Sequence, residues 1–214
     1  MHEFELGVWK AFFVHLLRIM DVLKLLPEVD CRCREIPTFG QSMIRRFSRN
    51  VSELKQLAAR DYEDILQCAI PVFEGLLPDE EDNDRLMRVL FLAAHWHGLA
   101  KLRMHTDTTI NIFRSVTTSL GDAVREFKQT TCSKFETCEL PCEANARIRR
   151  EAAPSQTGPT QGTSMHPMMG PIPRQSARVK KELNLNTYTW HALGDYPSTI
   201  VSVGTTDSYT TERV

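Results

Sequence analysis

What this sequence has little of narrows it first. Neither sign of charge dominates: 26 Lys and Arg face 27 Asp and Glu, for a formal charge of −1 and a pI near 6.7. That balance excludes a strongly basic nucleic-acid module, though not a local basic patch. Long apolar runs are missing too. The longest, Val89 to Ala94, falls far short of the roughly 20 residues that a membrane span requires, so no membrane partner is expected. Glu3 and Glu5 stand where a secretory signal carries positive charge, and Lys10, Arg18, Asp21 and Lys24 interrupt the apolar stretch behind them. The expectation is a soluble intracellular protein with reduced thiols.

Motifs of stand-alone chemistry are absent as well. Cys31, Cys33, Cys68, Cys132, Cys138 and Cys142 make no Cys-x-x-Cys pair, and Cys-x-Cys is a poor chelate spacing, so free thiols are expected instead of a zinc set. His97, Lys101 and His105 fall at i, i+4 and i+8 on one helix face. The cation in the middle argues against a metal there and leaves phosphate contact and plain solvation both open. No serine elbow, Gly-rich phosphate loop or framed Cys/His pair occurs. No small-molecule substrate is evident.

What remains is helical pattern. The 214 residues, 42% of them hydrophobic, suffice for a real core. Over 3–26, Phe4, Val8, Trp9, Phe12, Phe13, Leu16, Ile19, Met20 and Leu23 cover most of the helical circle, leaving a polar arc of Glu3, Lys10, Arg18, Asp21 and Lys24. A helix so widely apolar must be packed on several sides, and Pro27 is expected to end it. Further helices are predicted near 58–76, 82–104 and 107–130, with a shorter one near 142–152. Pro71 falls on the polar stripe of its helix, which permits a kink instead of a break. The run Asp79, Glu80, Glu81, Asp82, Asp84 reads as a helix start, and Thr106 as an N-cap.

The organisation read from these patterns is mainly α. A helical domain covers 1–152. A disordered linker covers 153–182: fifteen of its first 21 residues are Pro, Gly, Ser, Thr or Gln, and it ends in the basic stretch Arg174, Arg178, Lys180, Lys181. Residues 183–214 regain globular composition but are too few to fold alone. Cations concentrate at Arg45, Arg46, Arg49, Lys55 and Arg60, and again at Arg147, Arg149 and Arg150. These are the candidate contacts to DNA phosphates, which require only charge and reach.

Three motifs in order carry a family resemblance. His2-Glu3-Phe4-Glu5-Leu6-Gly7-Val8-Trp9-Lys10 resembles the segment of fungal Plavaka-type transposases (CACTA-like DDE enzymes) that follows their second catalytic aspartate, where Asp-x-x-His precedes a Gly and a Lys at the spacing of Gly7 and Lys10. Leu99 to Asp107 looks like the family's Leu-Ala run ending in His-Thr-Asp. Trp190 to Tyr196, with Gly204 to Glu212, resembles its His-x-Leu-x-x-Tyr and Gly-Thr-x-Asp-x-Tyr-x-Thr-Glu stretches.

The resemblance implies a helical insertion between the second Asp and the final Glu of a ribonuclease-H-like core, with residues 3–152 as that insertion. Glu212 matches the final acid, and His2 matches the companion of an Asp that would lie two residues before Met1. Two-metal strand chemistry needs all three carboxylates. The chain is therefore expected to be a truncated, transposon-derived product, inactive alone and without cofactor or metal. Mg or Mn would belong to a full-length relative, and the nucleus is the compartment implied. A non-catalytic helical module binding protein or DNA, or a relic without function, are the competing readings.

Overall fold

The computed structural model describes residues 2–40, 44–55, 57–152 and 178–206. Of the linker expected over 153–182, residues 153–177 lie outside them, as does the candidate acid Glu212. Residues 178–182 lie within them, and Lys181 donates its N–H to the Thr137 carbonyl at 3.0 Å, so that part of the expected linker is corrected. Within them, the first helix is buried as its wide apolar arc predicts: Phe4, Val8, Trp9, Phe12, Phe13, Leu16, Ile19 and Met20 are all inside. Its first seven residues, Glu3–Trp9, are wound as a π-helix that runs directly into α1, Lys10–Val22.

The expected stop at Pro27 is corrected. The chain turns earlier, with Lys24 at φ +63°, and Pro27 lies in the first turn of α2, Leu26–Glu35. In a first turn the missing N–H of proline costs nothing and its ring presets φ, so the residue starts a helix here instead of ending one.

Helix α3, Ala59–Phe73, continues through Pro71, which is exposed as its stripe position predicts. Helix α4, Glu80–Ala100, begins where the acidic run predicts: the Asp79 side chain accepts from the Asp82 N–H at 3.0 Å. Helix α5, Asp107–Thr130, is capped by Thr106, whose hydroxyl accepts from the Thr109 N–H at 3.2 Å. α4 and α5 run antiparallel. Thr131 and Lys134 reach Asp82 at 2.8 and 2.6 Å at one end, and the Trp96 indole donates to Thr117 at 3.0 Å toward the other. Helix α6 spans Pro141–Ala152, α7 Tyr188–Ala192 and α8 Tyr196–Val203. No strand occurs among the described residues, only isolated bridges at Phe39–Ile44 and Cys138–Lys180. The molecule is mainly α. No helix of the described residues is long and apolar enough to cross a membrane.

Residues 178–206 lie on the helical core. Leu183, Leu193 and Ile200 join its buried cluster, Arg178 pairs with Asp21 at 2.6 Å, and Thr206 donates to the Ala100 carbonyl at 2.8 Å. The approach of α7 to the π-helix depends on Gly7, where an added Cβ would stand 2.7 Å from Thr189 Cγ2. Gly7→Ala should therefore cost about 1–3 kcal/mol by overpacking. Urea denaturation checks this, and adding Thr189→Ala should recover part of the loss if the contact is the cause.

Candidate nucleic-acid interface

Residues 44–55 cross from α2 to α3 without a helix of more than one turn, so side chains must hold them. Asp30 of α2, almost fully buried, accepts from the Ser52 N–H at 3.0 Å and the Ser52 hydroxyl at 2.6 Å. Arg34 donates to Asn50 at 2.6 Å. Arg45 donates from Nε to Asp64 at 2.9 Å and from a terminal nitrogen to Asp61 at 2.7 Å. Asp64 of α3 is buried; a carboxylate can go there because Arg45 neutralises it and supplies a hydrogen bond.

This anchoring shapes a cavity of about 480 Å³ lined by Arg45, Arg46, Arg49, Asn50 and Lys55. A second, of about 830 Å³, is lined by Lys55, Arg147, Arg149, Arg150 and Lys181. Both share Glu53 and Lys55. The two basic stretches, about a hundred residues apart in the chain, thus meet on one face. Arg60 is exposed in the first turn of α3 and lines neither cavity.

The charges on this face are largely balanced at close range. Lys55 reaches Glu53 at 2.8 Å, and Arg147 reaches Glu139 at 3.2 Å and Glu151 at 3.4 Å. Eight cations line the two cavities against six carboxylates. The acidic run before α4 takes no part in this balance: Asp82 binds Lys134 and Arg85, at 2.6 and 2.9 Å. Arg149 and Arg150 are exposed in the last turn of α6 and donate to the Asn145 and Ala146 carbonyls of their own helix, at 3.4 and 3.3 Å. A small excess of positive charge on an open face suits weak phosphate contact.

The remaining candidates fall elsewhere. His2 is exposed at the head of the π-helix, its Nδ1 3.6 Å from Glu5 Oε2. The stripe predicted for His97, Lys101 and His105 does not form, because α4 ends at Ala100, ahead of residue 104. His97 is buried and its Nε2 hydrogen donates to Glu5 Oε1 at 3.1 Å. Lys101 donates to Glu63 Oε1 at 2.6 Å, while His105 stacks on Phe113, ring centroids 6.2 Å apart. All six cysteines are free. Burial pushes the Cys33 and Cys132 thiols up to about 12 and Cys68 to about 11, so these thiols are not poised as nucleophiles.

Glu5, Glu63 and His97 come from three separate helices and bring a ligand atom each to within 4.8 Å of one another. Burial pushes the Glu5 carboxyl up, but the His97 hydrogen bond and the charges of His97 and Lys101 outweigh it and hold it below the ordinary range. No motif spacing could have shown this cluster. One signal was present: Glu5 is an acid lying off the polar arc of its helix. No protein-family model, no curated protein and no solved structure matches the chain.

Proposed function

We infer that this chain is a non-catalytic helical module of a transposon-derived protein, related to the insertion of Plavaka-type DDE transposases, and that its basic face holds DNA phosphates weakly and without reading sequence. The observation that supports the DNA contact is the meeting of Arg46 and Arg49 with Arg149 and Arg150 around Lys55. The transposase origin rests on the three ordered motifs. Of the three acids that two-metal strand chemistry requires, these 214 residues supply one match, Glu212, so the module on its own binds and does not cut.

The test is a titration of a labelled duplex at two salt concentrations. Each phosphate contact adds about 0.9 to the fall of log K with log salt, so Arg46→Ala, Arg149→Ala and Arg150→Ala together should flatten the slope by up to about 2.7. These three are chosen because, among the described residues, none of them anchors a buried carboxylate, as Arg45 does for Asp64. The same duplex kept with Mg²⁺ should remain intact. Binding that is absent at low salt, or indifferent to the triple change, overturns the DNA reading; Mg²⁺-dependent nicking overturns catalytic silence.

A further inference from the structure

We propose that Glu5, Glu63 and His97 form a binding site for one divalent transition-metal ion such as Mn²⁺, Co²⁺ or Zn²⁺, with His2 placed to supply a fourth ligand. This goes beyond the DNA reading and does not depend on it. It also departs from the sequence expectation of no metal in this chain, which rested on the spacing of Cys and His and on the two catalytic carboxylates that the family resemblance leaves unmatched.

Geometry carries the proposal. The π-helix presents Glu5, α3 presents Glu63 and α4 presents His97, so three elements converge as facing helices do around metals in bundle cores. A tetrahedral ion at about 2.1 Å from its ligands separates them by roughly 3.4 Å. Glu5 Oε1 and His97 Nε2 already stand 3.1 Å apart, and all three ligand atoms lie within 4.8 Å of one another. Phe4 stacks on the His97 imidazole at 5.5 Å and fixes its plane, the kind of support that orients a metal-binding histidine. The carboxylate of Glu5 is sequestered together with the imidazole, each side chain being 6% exposed. The site sits on a π-helix, a winding that in proteins concentrates at functional positions.

Charge says what the ion would replace. The two carboxylates face the Lys101 ammonium and the His97 imidazole, the groups that hold the Glu5 carboxyl below its ordinary range. A divalent ion balances both carboxylates and makes the ammonium unnecessary. Lys101 follows directly on the last residue of α4 and its side chain is 40% exposed, so it can leave Glu63 for water without moving the helix. His97 must then present its Nε2 lone pair to the ion, its remaining hydrogen standing on Nδ1; an imidazolium would release one proton to solvent. His2, its Nδ1 3.6 Å from Glu5 Oε2 and its side chain largely exposed, is the neighbouring imidazole that a fourth ligand would come from.

The experiment is a titration of the whole chain with Co²⁺, followed by visible absorption, and with Mn²⁺, followed by electron paramagnetic resonance. Saturable binding of one ion, without a thiolate-to-cobalt charge-transfer band, is expected. Glu63→Gln keeps the side-chain shape at a partly exposed position and should weaken binding at least about tenfold; His97→Gln should do the same. Lys101→Met removes the competing ammonium and should tighten binding while leaving all three ligands in place. Thermal denaturation of each variant without metal establishes that it is folded. The proposal is overturned by the absence of saturable binding in the folded wild-type chain, by binding unchanged in both folded variants Glu63→Gln and His97→Gln, or by a cobalt spectrum dominated by thiolate.

Discussion

Trp96→Ala should lower the unfolding free energy by about 3–5 kcal/mol, the range for deleting a fully buried aromatic side chain. Trp96 is completely inside, with Phe4 stacked on it at a centroid distance of 4.6 Å, Phe113 tilted at 5.2 Å and Tyr196 edge-on at 5.0 Å. Those partners belong to the π-helix, α5 and α8, so one side chain of α4 ties three elements together. Its loss removes the indole donor to the Thr117 hydroxyl, which still donates to the Phe113 carbonyl at 2.8 Å and is not stranded. Trp96→Phe preserves most of the ring contacts and should cost clearly less. Urea denaturation of both variants is the measurement. A cost below about 1 kcal/mol for Trp96→Ala would mean that the site collapses without a cavity.

The second large effect is acid sensitivity centred on His15. This residue is 1% exposed, and neither ring nitrogen has a hydrogen-bond partner among the described residues. Burial, with smaller contributions from the positive charges of Arg18 and Lys128, lowers its pKa from 6.5 to about 4. The unfolded chain therefore binds a proton first as pH falls. Stability is full above about pH 6.5, declines between 6.5 and about 4, and is flat below for this group, with a total loss of about 3 kcal/mol.

The carboxylates behave in a different window. Glu5, Asp82 and Glu139 are held below their ordinary values of 4.5, 3.8 and 4.5, so their contributions are complete above those values and fade only beneath them. Between pH 6.5 and 5, these carboxylates leave the window to His15. His15→Leu, of similar volume, should be close to neutral at pH 7 and more stable than wild type by about 2 kcal/mol at pH 5. Parallel stability profiles for the two proteins from pH 7 to pH 5 would refute this.

How much of this was legible in one dimension differs from helix to helix. α5 was wholly so: Ile110, Phe113, Val116, Leu120, Ala123, Val124 and Phe127 keep a clean helical spacing, and all are buried. Its start was legible because Thr106 caps with local groups alone. Pro27 misled because a proline after a helix and a proline opening the next one look alike in sequence; only the turn at Lys24 separates them. The polar residues that matter most were hidden for a related reason. His15, Glu5 and Asp64 sit on or beside apolar faces, and their partners or lack of partners depend on helices far away in the chain. Arg45 shows the converse: counted among the surface cations, it is the counter-charge of a buried aspartate. The basic face was half legible, since each cluster was visible but their meeting at Lys55 was not.

The close fit of Gly7 to Thr189 also bears on how the chain is made. On a ribosome adding about 5–20 residues per second, Thr189 emerges roughly 10–40 s after Gly7. Throughout that interval the π-helix and the Trp96 face lack their last cover, since α7 and α8 arrive only with the final part of the described chain. Closure of so long a loop is slow compared with the local pairing of α4 and α5. Vectorial synthesis thus leaves a half-built apolar surface exposed to water until α7 and α8 have been made.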